Sequence, residues 1–508
     1  MKLLRILTVC AALTFSAMPA IARPDSDLPT TEAVVSTGAD DYGDDHQLLV
    51  MLRLPATHYR PDATYGGRYI DDNSRSARQR RAEDLARQHG LTLVEGWPMA
   101  ILGIDCYVMR YPDSTDADHL IAQLSRDPQV EWAQPVARFD GMAQSSGAGR
   151  TTDGKNGDAM TARAGVTATA KPGAAADADA SGDPLYSVQP AARYWHLAEL
   201  HRYTRGRGIT VAVVDSGIDA SHPDLHGQLD VNNNFVDAGP TPAENHGTAV
   251  AGIIAARVGG GGIIGVAPQA RLMGLRACWQ QRDLATRCNS FTLSKAINFA
   301  ILNGAQVINL SLSGPPDRLL DRLLDVALER GISVVGAIDP HATSPTFPAS
   351  HHGVLAVASQ ARSPLGAASV TPEAQATSAA SSGTAGLRSL AATIALAQPG
   401  SATRAGSDAS PALSAEPHLL APGNDIPTSA PGARWAFVSG SSYAAAHVSG
   451  MLALLDELRP DSSPAQMRTL LQSGAALHAA TIDACTTIAR LVRDLRCARQ
   501  ISQHGAAP

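Results

Sequence analysis

The chain has 508 residues with a formal net charge of −6, and 44% of its residues are hydrophobic but only 4% aromatic. This length allows two or three domains and a sizeable core. The mildly acidic balance gives no reason to expect nucleic acid or an anionic membrane as a partner. Beyond the first residues, the sequence contains no apolar run long enough to span a bilayer.

The start of the chain has the three parts of a secretion signal. Lys2 and Arg5 supply positive charge, residues 6–18 are apolar, and a small-x-small sequence ends at Ala22. A transmembrane anchor would need a longer apolar run, and lipid attachment at Cys10 is disfavoured because a bulky valine precedes it. We therefore predict a signal peptide over residues 1–22 and a secreted or periplasmic protein.

Residues 46–136 have the pattern of a small α+β domain. Short apolar runs, of which that at 104–111 alternates, predict strands, and two helices are predicted between them, in the following order: strand 47–54, helix 74–90, strands 91–97 and 104–111, helix 115–127 and strand 129–135. The order β-α-β-β-α-β gives an antiparallel sheet with two helices on one face. Residues 137–182 are rich in Gly, Ala, Ser, Thr and Asp and predict a disordered linker.

The third region, residues 183–497, alternates between the two kinds of element. The predicted strands and helices are strand 208–215, helix 248–257, strand 271–278, helix 294–304, strand 306–313, helix 318–331 and strand 332–337. This alternation predicts an α/β fold with a parallel, doubly wound sheet, in which functional residues gather where strands end. Residues 362–414 have low complexity and predict a disordered surface insertion, and residues 498–508 form a tail.

Most of the cysteines stand in close pairs, as expected of an exported protein. Cys278 with Cys288, and Cys485 with Cys497, can each close a short loop in an oxidising compartment. Zinc binding is the alternative, but neither pair is accompanied by further His or Cys at zinc-like spacing. We predict two disulfides and no metal site, which leaves Cys106 as the odd cysteine.

Three polar residues stand where such a sheet presents its functional groups. Asp215 ends the first buried strand, His246 begins a helix, and Ser442 follows Gly440 at the start of an alanine-rich helix. Taken singly, they could cap a turn, sit on the surface and cap a helix. Together they form the set that activates a serine, because an imidazole takes the hydroxyl proton and a carboxylate orients the imidazole. The helix N-terminus would stabilise the oxyanion.

The motifs around these residues resemble those of the subtilisin-like serine proteases. They are D-S-G-I at 215–218, H-G-T-A-V-A-G-I-I-A at 246–255, S-L-S-G at 311–314 and G-S-S-Y-A-A-A-H-V-S-G at 440–450. The family has the same order of Asp, His and Ser. The resemblance implies a peptidase with a catalytic triad of Asp215, His246 and Ser442; it implies no required cofactor and is compatible with structural calcium. Ser441 stands where the family has threonine, and we expect His447 to be a packing residue.

The resemblance also implies how a peptide and the N-terminal domain would bind. Extended protein or peptide substrates would pair with residues 276–278 and with the segment Leu310, Ser311, Leu312, Ser313 and Gly314. Residues 46–136 are similar to the family's inhibitory propeptide, which implies a zymogen inhibited by its own propeptide until cleavage within residues 137–182. The alternative is an accessory domain that the protein keeps.

One departure from the family pattern concerns the oxyanion hole. The family places an asparagine of the oxyanion hole after the strand predicted at 332–337, whereas this chain has Asp339. An ionised carboxylate there would repel the oxyanion, which leaves the backbone N–H of Ser442 as the donor. A protonated Asp339, His341 or Thr343 could donate instead. This departure supports a second hypothesis, a weak or inactive relative that binds extended peptides or partner proteins.

Overall fold

A computed structural model describes residues 46–54, 67–143, 183–360, 418–473 and 481–495. The predicted signal peptide, most of the predicted linker, the low-complexity insertion, Cys497 and the C-terminal tail lie outside these ranges.

The N-terminal domain has the β-α-β-β-α-β order. Its elements are β1 (Gln47–Arg53), α1 (Gly67–Gln88), β2 (Thr92–Met99), β3 (Ile104–Arg110), α2 (Ala117–Leu124) and β4 (Val130–Pro135). The four strands form an antiparallel sheet in the order β2-β3-β1-β4. The first helix begins at Gly67 instead of residue 74, because the polar residues before 74 give no periodic signal from which a start could be predicted.

The two faces of this sheet have different neighbours. Along β1, Leu48 and Val50 pack against the two helices of the domain, while Leu49 and Met51 point to the opposite face. That opposite face packs against Phe291 and other apolar residues of the third region. The four-stranded sheet therefore lies between its own helices and the larger domain.

The larger domain follows the predicted alternation. Its strands and helices are β5 (Arg138–Gly141), α3 (Pro190–Tyr194), α4 (Leu197–Leu200), β6 (Thr210–Asp215), β7 (Leu229–Asn234), α5 (Asn245–Ala255), β8 (Arg271–Arg276), β9 (Cys278–Gln280), β10 (Thr286–Asn289), α6 (Ser290–Leu302), β11 (Val307–Leu310), β12 (Leu312–Ser313), α7 (Arg318–Glu329), β13 (Ser333–Ala337), β14 (Leu355–Ser359), β15 (Leu419–Ala421), β16 (Ile426–Ala430), β17 (Arg434–Val438), α8 (Ser441–Leu458), α9 (Pro464–Ser473) and α10 (Ala484–Ala489).

Seven of these strands form a parallel sheet in the order β15-β14-β13-β11-β6-β8-β7. Val211 and Val213 of β6 face a core shared with α5 and α8, whereas Ala212 and Val214 face a core shared with α6 and α7. The sheet is therefore doubly wound, as predicted. Because β6 lies between β8 and β11, where the strand order reverses, Asp215 lies at the edge where such sheets bind ligands.

The prediction that the linker begins at residue 137 was wrong. Residues 138–141 form β5, which lies between β12 and β10 in a second sheet of order β12-β5-β10-β9. Phe139 in this strand has an exposed fraction of 0%. The sequence Arg138–Gly141 contains one aromatic residue and no alternation of apolar residues, so its strand conformation results from pairing with β10 and β12.

Candidate active site

The structure brings the three predicted residues into one hydrogen-bonded cluster. His246 Nδ1 lies 2.7 Å from Asp215 Oδ1, and His246 Nε2 lies 2.9 Å from Ser442 Oγ. Their exposed fractions are 2% for Asp215, 5% for His246 and 0% for Ser442. When Nδ1–H donates to the carboxylate, Nε2 is left to accept the serine proton. This arrangement can turn a hydroxyl into a nucleophile.

Close contact between α5 and the loop after β6 holds His246 beside Asp215. A Cβ atom at Gly247 would lie 2.2 Å from the carbonyl oxygen of Ser216, so only glycine lets the two segments come this close. Ser216 Oγ accepts the N–H of Gly247 at 3.0 Å, and Asp215 Oδ1 accepts the N–H of Ser216 at 2.6 Å. The carboxylate and the helix that carries the imidazole are therefore fixed to one loop.

A buried polar network, which the sequence analysis missed, links β11 to the serine helix. Ser449 Oγ donates to Asn309 Oδ1 at 2.8 Å, Asn309 Nδ2 donates to Ser311 Oγ at 2.8 Å, and Ser311 Oγ donates to the carbonyl of Ser442 at 3.0 Å. Satisfied buried networks of this kind hold a backbone in one position. The available signal was an asparagine inside the otherwise apolar strand Val307–Leu310.

The residues that follow Ser442 on α8 are buried and in contact with neighbouring aromatic rings. The Tyr443 ring is 4% exposed, and its centroid lies 5.7 Å from that of His246. His447 makes the contacts of a packing residue: its Nδ1 lies 2.7 Å from the Tyr443 carbonyl oxygen, and its ring meets Trp195 edge-on at 5.7 Å. Burial lowers the pKa of His447 to about 4, so this imidazole is neutral at pH 7.

Strand β5 lies in the predicted peptide groove, with β12 along one side. The N–H of Met142 donates to the Ser311 carbonyl at 3.3 Å, and Leu312 and Ser313 pair antiparallel with Gly141 and Asp140. Leu310 differs from the rest of that predicted segment: it pairs with Gly336 inside the seven-stranded sheet and is buried there.

The other side of the groove is β10 instead of the predicted residues 276–278. Asp140, Phe139 and Arg138 pair with Arg287, Cys288 and Asn289 of β10. The predicted residues 276–278 do not pair with β5; Arg276 instead forms an ion pair with the carboxylate of Glu244 at 3.2 Å. The predicted Cys278–Cys288 bridge joins the two strands of the β9–β10 hairpin, but nothing in the sequence signalled that β10 would pair with β5.

The end of β5 passes in front of Ser442. The N–H of Ser442 donates to the Met142 carbonyl at 3.4 Å, and Ala143 forms a β-bridge with Gly440. The Met142–Ala143 peptide bond therefore lies beside the serine, with its carbonyl oxygen on an N–H at the start of α8. A helix N-terminus favours negative charge at that position.

The structure turns Asp339 toward its own loop. Its Oδ1 accepts the N–H of His341 at 2.8 Å. Within the described ranges, the Met142 carbonyl receives its hydrogen bond from Ser442 and none from Asp339, His341 or Thr343. The neighbouring Ser441 hydroxyl donates to the carbonyl of Ile338 at 2.5 Å. At the position where the family has an asparagine donor, this loop therefore has the carboxylate of Asp339, which accepts a hydrogen bond from the loop backbone.

The cysteines are arranged as the sequence suggested where the structure describes them. Cys278 and Cys288 form a disulfide; Cys485 is disulfide-bonded, while its predicted partner Cys497 lies outside the described residues. Cys106 is a free thiol, and burial raises its pKa. In the described ranges, no three His, Cys, Asp or Glu side chains are grouped closely enough to hold a metal ion.

Charged and aromatic side chains border the contact between the two domains. Lys295 Nζ lies 2.9 Å from Glu95 Oε1 and 5.7 Å from the centre of the Trp97 ring. The guanidinium of Arg318 lies 4.7 Å from the centre of the Trp132 ring, which is 3% exposed. Cations above aromatic faces add to the apolar packing between the domains.

The fold and the site together define a class of protein. A doubly wound parallel sheet with a hydrogen-bonded Asp, His and Ser where its strands end and its helices begin is typical of serine hydrolases. Residues 206–495, more than half of the chain, match the model of the Subtilase family. The chain therefore belongs to the subtilase family of serine-type endopeptidases.

Individual relatives agree with this assignment. The major intracellular serine protease of Bacillus subtilis strain 168 is 31% identical over 51% of this chain and 71% of its own length. The thermophilic serine proteinase of Bacillus sp. strain AK1 is 34% identical over 49% of this chain and 52% of its own. Subtilisin E of Bacillus subtilis strain 168 is 32% identical over 53% of this chain and 61% of its own length. The chain thus spans between about half and 71% of these relatives.

Among solved structures, fervidolysin from Fervidobacterium pennivorans, described as a keratinolytic enzyme related to subtilisin, superposes with a TM-score of 0.56. The superposition covers 87% of this chain and 60% of fervidolysin at 18% identity, which bears on the fold alone. None of the helices in the described ranges is both long and apolar enough to traverse a bilayer.

Proposed function

We propose that this chain is an exported serine endopeptidase, made as a zymogen, that cleaves peptide bonds with Asp215, His246 and Ser442. The first bond that it would cleave is its own Met142–Ala143. One observation carries the proposal: β5 lies in the groove as a peptide strand and presents the Met142 carbonyl to the N–H of Ser442 at 3.4 Å.

In the proposed reaction, His246 Nε2 removes the proton of Ser442 Oγ while the oxygen attacks the carbonyl carbon of the bound peptide. Asp215 keeps the imidazole oriented and stabilises its positive charge. The oxyanion is stabilised by the Ser442 N–H and the N-terminus of α8. The imidazolium then gives its proton to the departing amine, and water hydrolyses the acyl-enzyme by the same steps in reverse.

The zymogen part of the proposal gives the N-terminal domain the role of an inhibitor. After cleavage, residues 46–142 would remain bound, because β5 pairs with strands on both sides and Leu49, Met51 and Trp132 pack against the larger domain. The Lys295–Glu95 ion pair supports the same contact. Release or degradation of this domain would open the groove to extended segments of other proteins.

Export is proposed from the signal-like residues 1–22, and it agrees with the Cys278–Cys288 disulfide, since such bridges persist in oxidising compartments. No required cofactor is proposed, and calcium would be a structural ion at most.

The experiment expresses the chain from residue 23 and follows its size and new N-terminus by mass spectrometry. We expect a product that begins at Ala143. Ser442→Ala should abolish this cleavage, whereas the matched change of the adjacent hydroxyl, Ser441→Ala, should retain it. Cleavage that persists in Ser442→Ala would assign the cut to another protease and would favour the second hypothesis, a peptide-binding relative without activity.

A further inference from the structure

The segment from Phe139 to Met142 shows which side chains the groove accommodates before the Met142–Ala143 bond. Counting back from this bond, Met142 is first, Gly141 second, Asp140 third and Phe139 fourth. The backbone of this segment pairs with β10 and β12, which a strand of any sequence could do. Discrimination between peptides must therefore come from the pockets that receive the side chains.

The fourth position is a closed aromatic pocket. The Phe139 side chain is 0% exposed, and its ring meets Phe347 at 5.7 Å with an interplanar angle of 65°. A Cβ atom at Gly314 would lie 2.2 Å from the Phe139 ring, so the glycine gives the ring its space. The Leu312 side chain belongs to the same apolar cluster. The pocket fits a planar ring and buries all of it.

The third position contributes little to discrimination. The Asp140 carboxylate forms an ion pair with Arg287, but the two side chains are 52% and 40% exposed. Ion pairs between such exposed groups add little free energy because water screens them.

The second position is closed to any side chain. A Cβ atom placed on Gly141 would lie 2.8 Å from Cβ and 3.3 Å from Cγ2 of Thr286, distances at which one of the two residues must move. The nearest atom, the Cβ of Thr286, can move only with its backbone, which pairs with Gln280 of β9 and belongs to a residue that is 7% exposed. A larger residue at this position would have to displace β10.

We propose that this groove selects extended segments with a glycine two positions before the cleaved bond, and that the Cβ atom of Thr286 enforces the glycine. The inference rests on the proposed function and adds a substrate class to it. Proteins that carry a glycine two residues before a bond in an accessible, extended segment would be its substrates.

The test compares the peptide Phe-Asp-Gly-Met-Ala, extended by neutral residues at both ends, with the same peptide carrying alanine in place of the glycine. The processed protein should prefer the glycine peptide over its alanine counterpart by about 10- to 100-fold in kcat/KM, as expected for overpacking a closed site. Thr286→Gly removes the clashing Cβ atom and should bring this ratio close to one. Thr286→Ala keeps the Cβ atom and should keep the ratio high.

A second measurement uses the chain as its own substrate. Gly141→Ala should slow the cut at Met142–Ala143, and the combination with Thr286→Gly should restore it, which a simple folding defect would not do. Equal rates on the glycine and alanine peptides, or a ratio that Thr286→Gly leaves unchanged, would overturn the inference.

A fluorophosphonate reagent separates this result from the proposed function, because it reacts with an activated serine whatever the peptide preference. If Ser442 is labelled and the peptides are cleaved at equal rates, the proposed selection for glycine is refuted and the proposed activity stands. A protein that is neither labelled nor able to cleave any of the peptides would refute the proposed activity, and the inference with it.

Discussion

Removal of the Cys278–Cys288 disulfide should weaken both the fold and the groove. The bridge joins β9 to β10 across a sequence separation of 10. For a loop of this length, the entropy of the unfolded chain predicts a stabilisation of about 2.7 kcal/mol. Both cysteines are 1% exposed, so their replacement by alanine also loses packing. We expect the double variant to lose about 3–4 kcal/mol of the free energy of unfolding.

The assay is urea unfolding followed by fluorescence, with Ser442→Ala in every variant so that self-cleavage cannot interfere. Cys106→Ala is the control, because it removes a buried thiol without removing a cross-link. If the double variant loses no more than twice the loss of the control, the bridge contributes nothing beyond packing, and the loop-entropy reasoning fails.

The same double change should affect catalysis in a particular way when Ser442 is present. Strand β10 borders the groove, whereas Asp215, His246 and Ser442 are held by β6, α5 and α8. We expect kcat/KM for an extended peptide to fall, while labelling of Ser442 by a small fluorophosphonate continues at its original rate. A parallel loss of both would mean that the bridge supports the whole site.

Three further changes test other parts of the molecule. Burial raises the pKa of Asp456 from 3.8 to about 7. The folded state therefore holds this proton more tightly than the unfolded state, and the free energy of unfolding falls as pH rises between those values. Asp456→Asn should reduce the difference in the free energy of unfolding between pH 4 and pH 8, measured by urea unfolding, and an unchanged difference would contradict this reasoning. Asp339→Asn should raise kcat about 10-fold or more by adding an amide donor; an unchanged kcat would mean that the backbone suffices. Trp132→Ala removes the ring beneath Arg318 and should speed the appearance of peptidase activity after self-cleavage by about 10-fold, whereas an unchanged delay would show that release does not depend on this contact.

Much of the architecture follows from patterns that are local in the sequence. The strand predicted at 47–54 is Gln47–Arg53, and the helix predicted at 318–331 is Arg318–Glu329, because apolar periodicity reports directly on which face of an element is buried. The order and the motifs of Asp215, His246 and Ser442 likewise indicated one site. Gly217 and Gly247, close to Asp215 and His246 in the sequence, mark close approaches of backbones, because a Cβ atom at either would lie 1.9 or 2.2 Å from a carbonyl oxygen.

The occupant of the groove was decided by the tertiary structure alone. Residues 138–141 have no periodicity, and β5 exists because β10 and β12 offer backbone partners on both sides. Every residue except proline carries the same backbone donor and acceptor, so no residue type announces such pairing in advance. The orientation of Asp339, whose carboxylate accepts from its own loop, depended on the same backbone geometry. Side chains thus specify which surfaces are buried, and only the folded chain specifies which backbones meet.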